Sequence, residues 1–207
     1  EDAERTMCTN LGINTEFSTN DIDEEVIEKS DYLFLESYLI ASPKGMDVCK
    51  KALKVAKENN TKVSISFSDP NIVSAFRSEI QSLLEIKCDL IFCNEEEALA
   101  YAETDSVNNA FKLLKETSPN FLITQGSSGC IGFDGKNQID IPGHKVEAID
   151  SNGAGDMFAG AVLYCLSQGQ SLEDGAKFGC YAASKVVSHV GPRLSKEEYK
   201  KIKVNYF

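Results

Sequence analysis

The 207 residues suffice for one domain, and a hydrophobic content of 42% supplies a core if it is patterned correctly. A balance of 32 acidic against 21 basic residues gives a formal net charge of -11, which opposes non-specific binding to nucleic acid or to anionic membrane. No run approaches the ~18 consecutive apolar residues of a membrane-spanning helix, and the start lacks the charged-then-apolar pattern of a secretory signal.

In chain order, residues 1–14 read as the end of a strand or loop, so that something is expected to precede them. The acidic run Asp21, Asp23, Glu24 and Glu25 reads as a solvated face. Short apolar runs rich in β-branched and aromatic residues predict strands at 32–35, 62–67, 90–93, 121–124, 130–133, 138–141 and 145–149. Between the earlier ones lies helical spacing: Met46, Cys49, Leu53 and Ala56; Ile80, Leu83 and Leu84; Ala98 and Ala102; Ala110, Phe111 and Leu114. This alternation predicts βαβ units and a mainly parallel sheet flanked by helices on both faces, an α/β three-layer fold. The stretch 130–141, turning at Asp134-Gly135, predicts an antiparallel hairpin at the sheet's edge. Beyond Asp150 two apolar helical patterns follow, about 155–168 and 172–188, the second with Ser171 as N-cap. There is no repeat or linker, so one α/β domain is the simplest organisation.

Seven cysteines (Cys8, Cys49, Cys88, Cys93, Cys130, Cys165, Cys180) form an odd, scattered set without a CxxC pair. They read as reduced core thiols of a cytoplasmic protein. His144 and His189 have no ligand spacing around them, which argues against zinc.

The most informative stretch is Asp150-Ser151-Asn152-Gly153-Ala154-Gly155-Asp156, between a predicted strand and the start of a helix. Small residues let the backbone approach a ligand, and a helix N-terminus offers unpaired N–H groups and the positive end of its dipole. Asp156 falls in the first turn, where a carboxylate can accept a proton beside a bound phosphate. The plainer alternative is a glycine-rich turn with a capping acid.

These seven residues resemble the D-T-x-G-A-G-D signature of PfkB (ribokinase-like) kinases, with Ser151 replacing the usual threonine. The resemblance implies that Asp156 is the base that deprotonates the acceptor hydroxyl, and that the amides of Gly153, Ala154 and Gly155 form an anion hole. Two further stretches fit it. Asn94-Glu95-Glu96-Glu97 looks like the family's N-x-x-E motif, in which Asn94 and Glu97 organise Mg2+ and the ATP phosphates largely through water. By itself, an Asn followed by acids at a strand end is a commonplace N-cap. Thr124-Gln125-Gly126-Ser127-Ser128-Gly129 is similar to the T-x-G-x-x-G nucleotide loop, which implies contacts from Thr124, Gly126, Ser127 and Gly129. Residues 178–191 resemble the helix and loop that border the adenine, with Cys180 and Ala183 facing the base. Cys180 stands where many relatives place asparagine. Asp150, Asn152 and Gly191 are candidates for a monovalent cation, K+, beside the anion hole; their plainer reading is a capped turn.

The resemblance covers essentially the whole chain and implies an ATP- and Mg2+-dependent kinase acting on a sugar or nucleoside hydroxyl. The wording around 67–71 and 92–98 is most like the adenosine-kinase-like branch. It further implies that residues 1–14, with Glu4-Arg5-Thr6, are the end of a lid or substrate-side strand, that 15–207 form the nucleotide-binding and catalytic domain, and that roughly a third of a typical relative precedes. The expected partner is a small sugar or nucleoside, bound by a monomer or homodimer. A non-catalytic nucleotide-binding protein on the same fold is the alternative. No GxGxxG follows a strand, and Cys130 stands where a P-loop ending at Gly135-Lys136 requires glycine.

Overall fold

The computed structural model describes residues 10–207. Cys8 and the expected lid strand through Glu4-Arg5-Thr6 lie outside the described residues. The part of that segment that is described enters a 3-10 turn, Gly12–Thr15.

The acidic run is spent on local structure. Asp21 accepts the N–H of Ser18 at 2.8 Å, Asp23 caps α1 (Glu24–Glu28) through the N–H of Val26, and Glu24 pairs with Lys51 at 2.8 Å. The elements that follow are β1 (Tyr32–Glu36), α2 (Gly45–Glu58), β2 (Lys62–Ser66), α3 (Pro70–Ala75), α4 (Arg77–Ile86) and β3 (Leu90–Asn94). Next come α5 (Glu95–Ala102), α6 (Val107–Thr117), β4 (Phe121–Thr124), β5 (Gly129–Phe133) and β6 (Gln138–Pro142). Three helices complete the chain: α7 (Ala154–Ser167), α8 (Leu172–Val186) and α9 (Lys196–Tyr206).

The six strands are hydrogen-bonded in sequence order, β1-β2-β3-β4-β5-β6. β1, β2 and β3 run parallel, with Tyr32 opposite Lys62 and Ser64 opposite Leu90. Short helical crossovers between sequential parallel strands produce this order directly. The predicted hairpin forms: β5 and β6 are joined by a turn in which Asp134 accepts the N–H groups of Lys136 and Asn137 at 2.9 and 2.6 Å.

The described chain divides into two compact units, residues 10–123 with Gly132–Asn137, and Thr124–Ile131 with Gln138–Phe207. In the first, Leu53 from α2, Ile65 and Phe67 around β2, Ile80 from α4, Ile91 from β3 and Leu114 from α6 are fully buried. The helical spacings read from the sequence are therefore the faces that cover this part of the sheet. In the second, Ala161 and Cys165 of α7 pack with Phe178 and Ala182 of α8 and Ile202 of α9. The Ser171 cap is present, its hydroxyl accepting the Asp174 N–H at 3.0 Å. Ser171→Ala should cost about 1 kcal/mol of stability, and Ser171→Gly only a few tenths, as read by urea denaturation.

One expected strand is corrected. Residues 145–149 form no strand, although they alternate as one should. Val146 and Ile149 are 40% and 53% exposed, and the N–H groups of Ile149 and Asp150 go to the Val187 carbonyl, just beyond α8. Alternation specifies a strand only where a neighbouring strand takes its backbone groups and a core takes one face; this segment has neither.

Candidate functional site

In the unit that carries α7, the loop before the helix is tied down by Asp150. One carboxylate oxygen accepts the N–H of Asn152 and the other that of Gly191, each at 2.9 Å. Asp150, Asn152 and Gly191 are thus brought together as a capped turn. Gly153 has φ 79°, and a Cβ there would lie 2.3 Å from the Pro192 carbonyl, so only glycine fits. The Ala154 N–H turns back to the Ser151 carbonyl at 3.3 Å, and α7 proper starts with Met157 N–H to the Gly153 carbonyl at 2.9 Å.

Gly155 and Asp156, both exposed, occupy the first turn of α7. A Cβ on Gly155 would meet nothing within 4 Å, so the approach to this turn is open, and its N–H groups have no acceptor inside the helix. The Ser151 hydroxyl is buried without a hydrogen-bond partner, an arrangement that leaves a donor available to an incoming oxygen. The three amides expected to act alike therefore differ: that of Ala154 is engaged, while the turn at Gly155 is open.

A cavity of about 460 Å³ runs from Asp156 along α7 past Met157, Gly160 and Tyr164, with Arg193 and Lys203 among its lining residues. The sequence reading missed these two cations. The only signal was the weak apolar spacing of Tyr199, Ile202 and Tyr206 on the otherwise charged α9.

The loop after β4 is a 3-10 turn, Gly126–Ser128. It is closed by Gln125 N–H to the Gly129 carbonyl at 2.8 Å and by Ser128 N–H to the Gln125 carbonyl at 3.0 Å. Thr124 is half-buried at the strand end, whereas Gly126 and Ser127 are exposed at the tip. Gly129 is buried, and a Cβ there would sit 2.0 Å from the Ile141 carbonyl. Close packing on β6 accounts for that glycine. On α8, Cys180 is buried with its sulfur 3.7 Å from that of Cys130, the residue after the loop. Ala183 is half-buried one turn further on.

In the other unit, Asn94 and Glu97 form a reciprocal capping box at the junction of β3 and α5. The Asn94 side-chain oxygen accepts the Glu97 N–H at 2.8 Å. The two Glu97 oxygens accept the Asn94 backbone N–H and side-chain amide, each at 2.9 Å. The commonplace N-cap is thus present, but this one is unusual in burying its acid, since Glu97 is 6% exposed. Burial pushes the Glu97 carboxyl up to about 7, the Asn94 N–H opposes this, and the negative charges of Glu36, Asp69 and Glu96 add to the rise.

Glu36 ends β1, and Asp69 caps α3 just after β2. The Ser68 hydroxyl donates to Glu36 at 2.5 Å from a left-handed backbone, φ 68°, and the Tyr38 hydroxyl donates to Asp69 at 3.3 Å. Neither acid was singled out in the sequence, because each lies in a different βα connection and only the parallel sheet gathers them. Acids crowded near a buried carboxylate form a place where a divalent cation lowers the electrostatic energy. Among the described residues no three acidic, His or Cys side chains are grouped closely enough to cage a metal.

Over most of its length the chain is similar to known kinases. Adenosine kinase of Schizosaccharomyces pombe is 28% identical over 210 residues, covering 92% of this chain and 61% of that protein. The crystal structure of adenosine kinase from Sinorhizobium meliloti superposes with a TM-score of 0.88 at 27% identity, over 92% of this chain and 59% of that one. A putative ribokinase II from E. coli, in complex with ATP and Mg2+, shares the fold with a TM-score of 0.80 at 20% identity, over 92% of this chain and 64% of that one. The chain thus spans about three fifths of the length of the relatives it matches. The family model for pfkB family carbohydrate kinases matches residues 1–198, and with the ribokinase-like α/β fold established, the chain belongs to that family.

Proposed function

We propose that this chain supplies the nucleotide-binding and catalytic part of an ATP-dependent kinase that transfers the γ-phosphate to a hydroxyl of a sugar or nucleoside. The observation that carries the reading is the open first turn of α7, where the Asp156 carboxylate, N–H groups without an intrahelical acceptor and the partnerless Ser151 hydroxyl belong to one short stretch. Phosphoryl transfer needs little covalent chemistry from the protein. It needs positioning, charge stabilisation and a place for the acceptor's proton.

In this reading Asp156 takes the proton of the acceptor hydroxyl, and the Gly155 turn holds the oxygens of the transferring group. Gly153 and Ala154 shape that turn. The exposed tip Gly126-Ser127 and the strand-end Thr124 hold nucleotide phosphate, with Gly129 fixing the loop against β6. Cys180 and Ala183 border the base. Asn94 and Glu97 orient the water shell of Mg2+, which when bound neutralises phosphate charge. A K+ ion beside Asp150, Asn152 and Gly191 rests on the family resemblance, and full activity in Na+ buffer would remove it. The adenosine kinase relatives favour a nucleoside such as adenosine over a free sugar as acceptor.

The decisive experiment offers the full-length protein ATP–Mg2+ with adenosine, ribose or fructose and follows ADP release. Transfer to adenosine is expected; ATP binding without transfer to any acceptor would support the non-catalytic alternative. Gly155→Ala gives a sharper probe of the anion site than Gly153→Val, because the open space at Gly155 lets a methyl enter without a clash. That variant should match or slightly exceed wild type in thermal stability, since alanine is the better helix residue by roughly 0.5–1 kcal/mol. Its turnover should fall by about tenfold or more, as one oxyanion contact is worth several kcal/mol. Normal turnover would place the anion hole elsewhere.

A further inference from the structure

We propose that Cys130 and Cys180 form a modification site: a thiol pair that a hydroperoxide converts to a disulfide, with loss of nucleotide affinity. The second half of the proposal rests on the nucleotide site assigned above; the first does not.

The two sulfurs, from residues 50 apart in sequence, stand 3.7 Å from each other. A disulfide is about 2.05 Å long, so side-chain rotations that close the gap by about 1.7 Å join them. No disulfide joins the cysteines of the described residues. Burial pushes Cys49 and Cys165 up to about 11 and Cys93 well above its usual range. In the pair, the proton shared between the sulfurs holds Cys180 below the ordinary thiol range and Cys130 above it. The thiolate is the nucleophile in thiol oxidation, and a proton shared between two sulfurs eases its formation. At 8% exposure against 1% for Cys130, Cys180 is the sulfur nearer solvent and the one a peroxide reaches first.

The chemistry balances with one molecule of hydrogen peroxide, the simplest hydroperoxide. The Cys180 thiolate attacks a peroxide oxygen and breaks the O–O bond, giving a sulfenic acid and hydroxide, which takes up a proton to become water. The Cys130 sulfur then attacks the sulfenic sulfur and expels its oxygen as water, with the Cys130 proton leaving on it. Two thiols are oxidised to one disulfide, and the peroxide is reduced to two waters.

The location makes the bond consequential. Cys130 directly follows Gly129, which closes the loop after β4 and packs so tightly that a Cβ there would meet Ile141 and Gly143. Closing the bond fixes the Cys180 side chain on β5 and ties α8 to the strand that anchors the loop, so the edge proposed to border the base can no longer adjust.

The test treats the reduced full-length protein with hydrogen peroxide and blocks remaining thiols with N-ethylmaleimide. Linked peptides are then mapped by mass spectrometry, and ATP–Mg2+ affinity is measured before oxidation, after it and after dithiothreitol. A Cys130–Cys180 linked peptide is expected, with Kd raised about tenfold and restored by dithiothreitol. Cys130→Ala should bind ATP like the reduced wild type and lose the response to peroxide. Absence of the linked peptide overturns the site itself. A linked peptide with an affinity change of less than about twofold overturns the regulatory half. If the reduced protein binds no ATP, the nucleotide reading and the regulatory half fail together, while the linked peptide still decides whether the thiol pair is a modification site.

Discussion

Asp156→Asn in the full-length protein should lower turnover by ~10²–10⁴ while leaving the Kd for ATP within about threefold, the range expected when a general base alone is removed. The asparagine keeps the volume and the place in the first turn of α7, so the amides at the phosphate approach are undisturbed. What is lost, in the proposed mechanism, is the proton acceptor. Asp156 is exposed, so the substitution removes no buried contact, and thermal stability should change by no more than about 0.5 kcal/mol. That separation of rate from stability is what distinguishes a base from a capping acid: a cap would show its loss in the melting temperature and leave the rate alone. Turnover within about threefold of wild type would remove Asp156 from the chemistry.

Glu97→Gln should produce two effects that share one cause, the burial of a carboxylate among other acids. Because burial raises the folded-state carboxyl to about 7 from an ordinary 4.5, the folded protein holds a proton that the unfolded chain releases. The associated stability is fully present below about pH 4.5 and is lost as pH rises toward and through 7, by up to about 3 kcal/mol. Urea denaturation of wild type between pH 5 and pH 8 should show that decline, and the variant should lack this component of it. The variant is not free of cost, since both Glu97 oxygens accept hydrogen bonds from Asn94 and a glutamine offers only one. A loss of about 1 kcal/mol from the missing acceptor should therefore appear at and above about pH 7, where the wild-type carboxylate is ionised, and fade below it.

The second effect is on the metal. Mg2+ near the cluster of Glu36, Asp69 and Glu97 would favour the ionised carboxylate, so the Mg2+ concentration for half-maximal rate should rise about 10- to 100-fold in the variant. Parallel pH–stability curves for the two proteins would show that the Glu97 carboxyl is not perturbed. An unchanged Mg2+ profile at normal rate would take it out of the metal site.

The patterns legible in the sequence were those governed by local rules. Runs such as Leu90–Asn94, buried on both faces, announce a central parallel strand by their continuous apolar character. The α2 spacing of Cys49, Leu53 and Ala56 announces one buried face. The stretch Asp150–Asp156 is legible because a tight glycine turn into a helix requires small residues wherever it occurs, so composition and order carry the geometry with them. Segment 145–149 misled for the complementary reason: its alternation is a local property, whereas pairing depends on a neighbour elsewhere in the chain.

By itself, then, the sequence determined the alternation of strands and helices up to the hairpin, since that follows from periodicity, capping and turn residues within a few positions of one another, and its motifs carried the resemblance to PfkB kinases that the family match and the fold bear out. The tertiary structure alone decided which side chains from distant positions become neighbours. It brought Glu36 and Asp69 close enough to raise the Glu97 carboxyl, turned Cys180 toward Cys130, placed Arg193 and Lys203 along the cavity from Asp156, and assigned Gly129 to packing and Gly155 to open space. Coulombic interaction, desolvation and steric exclusion act through space over a few ångströms, and the spacing of residues along the chain carries no record of those distances until the sheet and its helices have set them.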